Sequence, residues 1–87
     1  MSDDGLLEVS VISPTRVGFE GRARSLVVPA HDGKLGILRG HAPMTVLLGE
    51  GELVVRSPEG DRTFHVSRGF LQVVDDVVSV LAEEVSE

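Results

Sequence analysis

The sequence predicts an all-β fold of eight or more short strands, packed as an antiparallel β-sandwich or a small barrel. Apolar and polar residues alternate with a period of two along much of the chain, and no helical period is sustained. Ten Gly and four Pro divide the 87 residues into short segments separated by turns. Because a chain of this length builds one core, residues 1–87 are predicted to form a single domain, with segments 1–5 and 83–87 as flexible tails.

Five segments of the first half are predicted as strands. The first ends before Pro14, and the third ends at Pro29 because Pro cannot donate a hydrogen bond to a sheet. The fifth is apolar without alternation, so it fits a strand buried on both faces or one turn of helix. Gly49 and Gly51 favour the strand because they close the segment at strand length. The five segments are 7–11, 17–20, 25–28, 35–38 and 45–48.

Two hairpins are predicted in the second half. Pro followed two places later by Gly within 57–61 is typical of a hairpin loop of about five residues. Asp75 and Asp76 predict a two-residue turn, since Asp tolerates the left-handed backbone that such turns require. The strands of these hairpins are 52–56, 62–67, 70–74 and 77–82.

Composition narrows the classes of partner. Fourteen acids against eight bases give a net charge of −6, which opposes binding to nucleic acid. The chain has no Cys, and a secreted domain this small usually needs disulfides, so a reducing compartment is predicted. No apolar run approaches the roughly 20 residues of a membrane span, so direct membrane insertion is not expected.

The sequence contains no clear catalytic constellation. His31, His41 and His65 lack the spacing of a zinc site, and His65 occupies the exposed position of a strand pattern. The paired carboxylates at 75–76 and 83–84 fit solvent-exposed turn and tail positions better than acid–base catalysis. No G-x-S-x-G, Walker A or G-x-G-x-x-G motif occurs. These observations favour a binding or assembly module with no cofactor, no metal and no small-molecule substrate of its own.

One block of the chain resembles the signature of the epsilon subunit of F-type ATP synthase, G-x-L-G-I-x-P-G-H-A-P-L. It departs from that signature at Arg39, where the pattern has Pro, and conservatively at Met44. Segment 67–73 is similar to the S-G-G-F-L-E-V element of the family, and segment 77–82 to its last strand, so the resemblance extends from about Leu6 to Ala82. The block reads Gly33-Lys34-Leu35-Gly36-Ile37-Leu38-Arg39-Gly40-His41-Ala42-Pro43-Met44.

The resemblance implies a ten-stranded N-terminal β-sandwich in a non-catalytic subunit of the central rotor stalk. Such a subunit links the gamma subunit to the membrane c-ring and couples proton flow to ATP synthesis. It implies a peripheral position on the cytoplasmic face of the bacterial plasma membrane. The expected gamma contacts are His41, Ala42, Pro43 and Met44. The expected c-ring contacts are His31, Asp32, Gly33 and Lys34, with Lys34 standing where family members often carry an acid.

Two further expectations concern the surface and the end of the chain. An apolar surplus on faces that should be wet is expected to join the gamma contact; it includes Leu6, Ile12, Leu26 and Val54. Family members usually continue into a helical hairpin, and only segment 83–87 follows the last predicted strand, so no hairpin-type inhibition and no ATP site are expected of this chain. The alternative functions are a free-standing β-sandwich protein-binding module and, with less support, a small hydrolase.

Overall fold

The computed structural model describes residues 5–87, and these form eight β-strands and no helix. The all-β prediction is confirmed, and the number of strands is eight instead of the ten that the resemblance implies. The strands are β1 (Leu7–Ser13), β2 (Arg16–Ala23), β3 (Ser25–Ala30), β4 (Gly33–Leu38), β5 (Met44–Leu48), β6 (Gly51–Ser57), β7 (Gly60–Val74) and β8 (Val77–Ser86).

The strands pair in the order β2-β1-β8-β7-β5-β3-β4, and β6 pairs with both β3 and β7. Every pair is antiparallel except β1 with β8, which is parallel. The strand β7 connects the two halves of the sandwich, because its first part pairs with β6 and its last part with β5. One continuous sheet therefore folds over a shared core.

Nine segments are predicted as strands, and the structure has eight strands because β7 joins two of these segments, 62–67 and 70–74, into one strand of 15 residues. Arg68 and Gly69 lie at the junction with φ angles of +35° and +150°. A Cβ on Gly69 would lie 1.9 Å from the carbonyl oxygen of Leu81 in β8. Glycine therefore allows β7 to pass from one half of the sandwich to the other while it stays paired with β8.

Of the two predicted hairpin turns, one is confirmed and the other is shorter than predicted. The two-residue turn at Asp75 and Asp76 is confirmed, with φ of +51° and +64°. The loop between β6 and β7 contains two residues instead of about five, because Ser57 pairs directly with Gly60 and the Ser57 hydroxyl accepts a hydrogen bond from the Glu59 amide.

Two expected strand ends are wrong. Pro29 lies inside β3, paired with Lys34, and its carbonyl accepts a hydrogen bond from the Gly49 amide at 2.7 Å. The segment 83–87, expected to be a flexible tail, continues β8 as far as Ser86, and Val85 is buried. Apart from Gly5, the tail expected at residues 1–5 lies outside the described part of the chain.

The core lies between the two halves and consists of aliphatic side chains around Phe64, which is fully buried. Phe19 of β2 meets Phe64 edge to face, with ring centroids 6.5 Å apart, and closes one side of the core. The Arg62 guanidinium lies 5.3 Å from the Phe64 centroid and pairs with the Glu87 carboxylate. These contacts hold the end of β8 against β7.

A bulge in β2 decides which of its residues face the core. Val11 pairs with Phe19, but the next residue of β1, Ile12, pairs with Val17, so Gly18 is the extra residue. A Cβ on Gly18 would lie 2.7 Å from a methyl carbon of the Val85 side chain. The bulge places Phe19 against the core and leaves Val17 58% exposed.

Candidate functional site

A line of apolar side chains crosses the outward face of five strands, and we call it the apolar row. Cross-strand pairing sets its members opposite one another on β5, β7, β8, β1 and β2. Four of them are 38–66% exposed, and the fifth, on β1, is half-buried. Monomeric proteins seldom expose a contiguous apolar line of this kind without a use for it. The row consists of Leu47, Phe70, Leu81, Ile12 and Val17.

The neighbouring positions on the same face are polar. Thr45, Gln72, Ser79 and Ser10 lie two residues from the apolar row on their strands, and Glu20 lies three residues from Val17 because of the bulge at Gly18; together they form a parallel row. On the other side of the apolar row, an open groove of about 450 Å³ runs along the sheet; its lining includes Ile12, Pro14, Phe70 and Leu81. An apolar centre bordered by polar residues is the usual composition of a protein–protein interface.

A corner of the chain, residues 39–43 between β4 and β5, lies at another edge of this face. The Leu38 carbonyl accepts a hydrogen bond from the His41 amide, and Gly40 has a φ of +82°, which together define a type II turn. The Asp76 carboxylate accepts hydrogen bonds from the Gly40 amide at 2.7 Å and from the Arg39 Nε at 3.2 Å. The Gly40 amide, followed by Arg39, lowers the pKa of Asp76 below its ordinary value.

The residues expected at the gamma subunit have different environments within this corner. Ala42 and Pro43 are exposed, and the carbonyl of Ala42 lies 2.8 Å from Nδ1 of the half-buried His41. Met44 begins β5 and packs against the core, so only part of its side chain is available at the surface.

The residues expected at the c-ring form the exposed turn between β3 and β4. His31 and Asp32 make the turn, and Gly33 and Lys34 begin β4. The His31 amide donates to the carbonyl of Leu47 at 2.9 Å, which holds the turn beside the end of the apolar row. The structure therefore brings this turn close to the apolar row and separates it from the corner by the length of β5.

The apolar surplus predicted from the sequence is partly wrong. Leu26 is fully buried in the core, and Val54 is half-buried on β6, away from the apolar row. Leu6 is half-buried just before β1. Ile12 alone among these four belongs to the apolar row.

Sequence reasoning missed four of the five members of the apolar row. Leu47, Phe70 and Leu81 each alternate with a buried neighbour in a strand, and that alternation was the available signal. The alternation could assign these three residues to the face that points away from the core. It could not show that they lie side by side, because that depends on the pairing of strands that are distant in sequence.

Other polar groups of the described chain do not form a second site. His65 is exposed between buried Phe64 and Val66 and lies 3.2 Å from the Glu50 carboxylate. Within residues 5–87, no three His, Cys, Asp or Glu side chains are grouped so that they could hold a metal ion. No helix long and apolar enough to span a bilayer occurs in that same part of the chain.

Comparison with solved structures identifies the fold. A chain in the cryo-EM structure of the Euglena gracilis mitochondrial ATP synthase with OSCP, F1 and c-ring superposes with a TM-score of 0.86 at 20% identity, covering 98% of this chain and 55% of that one. A chain from the central stalk and c-ring of the Tetrahymena thermophila mitochondrial ATP synthase gives a TM-score of 0.77 at 15% identity, covering 92% of this chain and 65% of that one.

Comparison with known sequences identifies the family. The ATP synthase epsilon chain of Leptospira borgpetersenii is 44% identical over 77 residues, covering 88% of this chain and 61% of the relative. That of Rhodopirellula baltica is 42% identical over 71 residues, covering 82% and 56%. This chain thus spans 56–61% of the length of these two relatives. The family model of the ATP synthase delta/epsilon chain β-sandwich domain matches residues 6–87, and the chain belongs to that family.

Proposed function

We propose that this chain is the β-sandwich domain of an epsilon-type rotor subunit, which links the gamma subunit to the c-ring of an F-type ATP synthase. The observation that carries the proposal is the family match over residues 6–87, together with epsilon chains at 40–44% identity. The role is structural: the domain transmits rotation between proton flow and ATP synthesis and catalyses no reaction itself. Its place is at the cytoplasmic face of the bacterial plasma membrane, as a peripheral part of the complex.

The apolar row supports a large protein partner, which we propose is the gamma subunit. Leu47 is 66% exposed and Phe70 42% exposed, so both side chains lose much contact with water when a partner covers them. The row spans five strands, and an interface of standard size buries about 800 Å² on each partner. The aromatic ring of Phe70 near the middle of the row is the kind of side chain that dominates such interfaces.

The corner containing His41, Ala42 and Pro43 extends this proposed gamma surface. Val74 and Val77 flank the β7–β8 turn beside the corner, and each is 43% exposed. Apolar side chains thus occur at both ends of the same outward face, with the polar row between them. A partner that covers the whole face would contact all three zones.

The turn from His31 to Lys34 is the part we propose for the c-ring. Its four residues are exposed, and it carries both an acid and a base. Exposed ion pairs contribute about 0–1 kcal/mol each and weaken with salt, so these contacts would be weak and salt-sensitive. The hydrogen bond from the His31 amide to the Leu47 carbonyl fixes the turn to the sheet that carries the proposed gamma surface. A load applied at one contact would therefore pass through paired strands to the other.

The test of the gamma surface compares Leu47→Ser with Val54→Ser. Leu47 is 66% exposed and belongs to the apolar row. Val54 is half-buried on β6, where it pairs with Val27 and Thr63, and it lies away from both the apolar row and the corner. We expect Leu47→Ser to weaken binding to purified gamma at least tenfold, since a buried leucine contributes about 1.5–3 kcal/mol, and Val54→Ser to change it less than threefold.

Equal effects of the two substitutions would reject the apolar row as the gamma surface. A parent chain that does not bind gamma at all would reject the rotor assignment and favour the free-standing protein-binding module. Circular dichroism of each variant provides the folding control.

A further inference from the structure

We infer that Asp76 is a positioning residue that holds the corner between β4 and β5 in its docking conformation. Its carboxylate accepts hydrogen bonds from the Gly40 amide and the Arg39 side chain, and its backbone carbonyl accepts one from the Glu8 amide at 2.9 Å. One residue of the β7–β8 turn therefore connects three segments that are distant in sequence. The inference that the corner docks on gamma rests on the function proposed above.

The corner needs such support because the hydrogen bond that closes its turn is long. The turn bond from the His41 amide to the Leu38 carbonyl is 3.3 Å long, near the upper limit for a hydrogen bond. Arg39 occupies the second position of this type II turn, where Pro is the residue that fixes φ in advance. Arg leaves φ free, so the backbone of the corner must be restrained from outside.

The geometry of Asp76 supplies that restraint. The Gly40 amide lies at the centre of the turn and donates to one carboxylate oxygen at 2.7 Å, while Arg39 Nε donates to the other at 3.2 Å. Hydrogen bonds to an ionised acceptor are stronger than neutral ones. The two central residues of the turn are thus held by a single carboxylate, and the left-handed backbone of Asp76, with φ of +64°, aims it at them.

Asp75 offers a matched control within the same turn. It has a similar left-handed backbone, with φ of +51°, and its side chain is exposed. Glycine at either position relieves the same kind of backbone strain, because Gly adopts positive φ without penalty. Only Asp76→Gly removes the carboxylate that Gly40 and Arg39 contact.

The experiment measures amide hydrogen exchange by NMR in the full chain, with core amides such as that of Val80 as the reference for global stability. We expect Asp76→Gly to raise the exchange rate of the Gly40 amide about tenfold, and that of the His41 amide severalfold, whereas Asp75→Gly changes neither. Adding Arg39→Pro to Asp76→Gly should return the His41 amide to within about twofold of the parent and leave Gly40 fast, because Pro restores the turn but not the lost acceptor.

Binding to gamma provides the second readout. We expect Asp76→Gly to weaken binding, Asp75→Gly to leave it unchanged, and the added Arg39→Pro to restore it. Unchanged exchange of Gly40 and His41 in Asp76→Gly would overturn the positioning role. Faster exchange with binding equal to that of Asp75→Gly would overturn the link to docking. A parent chain that does not bind gamma would refute the proposed function, while the exchange rates would still decide the role of Asp76.

Discussion

Replacing Gly69 by Ala should be among the most damaging single substitutions in this chain. A Cβ at this position would lie 1.9 Å from the carbonyl oxygen of Leu81 and 2.8 Å from the Cα of Ala82, both backbone atoms of β8. Real Cβ contacts essentially never fall below 3.0 Å, so the strands would have to separate by about 1 Å.

The neighbouring strands leave little freedom for that movement. Leu81 is paired on one side with Phe70 and on the other with Ile12, and Gly69 is paired with Leu48 on its far side. Overpacking of this kind costs about 1–3 kcal/mol, and a non-glycine residue at positive φ costs about 1–3 kcal/mol more. The expected loss is therefore about 2–6 kcal/mol out of a total stability of about 5–15 kcal/mol.

Urea unfolding followed by far-ultraviolet circular dichroism is the suitable assay, because the chain has no Trp or Tyr to report by fluorescence. Gly36→Ala in β4 is the matched control, since no atom lies within 4 Å of the Cβ it would add. We expect that control to change stability by less than about 1 kcal/mol. A Gly69→Ala chain within 1 kcal/mol of the control, with an unchanged denaturant slope, would refute the steric argument.

Three further predictions follow from the structure. Phe64→Ala should cost about 3–5 kcal/mol in the same assay, because the ring is fully buried, whereas Phe70→Ala should cost much less because that ring is 42% exposed. A hydrogen bond from the Gly40 amide lowers the pKa of Asp76 below its ordinary value of 3.8, and one from the Arg62 side chain lowers the pKa of Glu87 below its ordinary value of 4.5. Both ionised carboxylates therefore stabilise the fold above these ordinary values, and this stabilisation is lost as the pH falls through the lower pKa values of the folded state. Unfolding titrations from pH 6 to pH 2 should accordingly show a shallower acid loss in an Asp76→Asn/Glu87→Gln chain than in the parent, and identical slopes would contradict this. A cysteine in place of Asp32 should crosslink to a cysteine in a c-ring loop within the assembled complex, and consistent failure beside a working gamma crosslink would reject this turn as the ring contact.

Part of the fold could be predicted from local pattern alone. Alternation identified nearly every strand, and Asp75 and Asp76 indicated a tight turn because their side chains tolerate the left-handed backbone that the structure contains. The segment 45–48, open between strand and helix, is in a strand, as its flanking glycines indicated.

The alternation of apolar and polar residues does not predict a bulge or a strand end that depends on contacts with strands distant in sequence. Val17 and Phe19 are two residues apart, so a period of two assigns them to one face, but the bulge at Gly18 directs them to opposite faces. The apparent tail around Val85 becomes part of β8 because this side chain packs over Gly18, more than sixty positions earlier in the chain.

In the candidate site, too, some features could be predicted from the sequence and others depend on the tertiary structure. The motif from Gly33 to Met44 indicated the family, and the match of the family model to residues 6–87 confirms it. The apolar row, by contrast, exists only because the pairing registers of five strands set its members in line. A strand's sequence determines which residues share a face, since side chains alternate along it, but whether that face is covered depends on where the other strands pack. That is why Leu26 is buried in the core, and why Leu47 and Phe70 remain exposed.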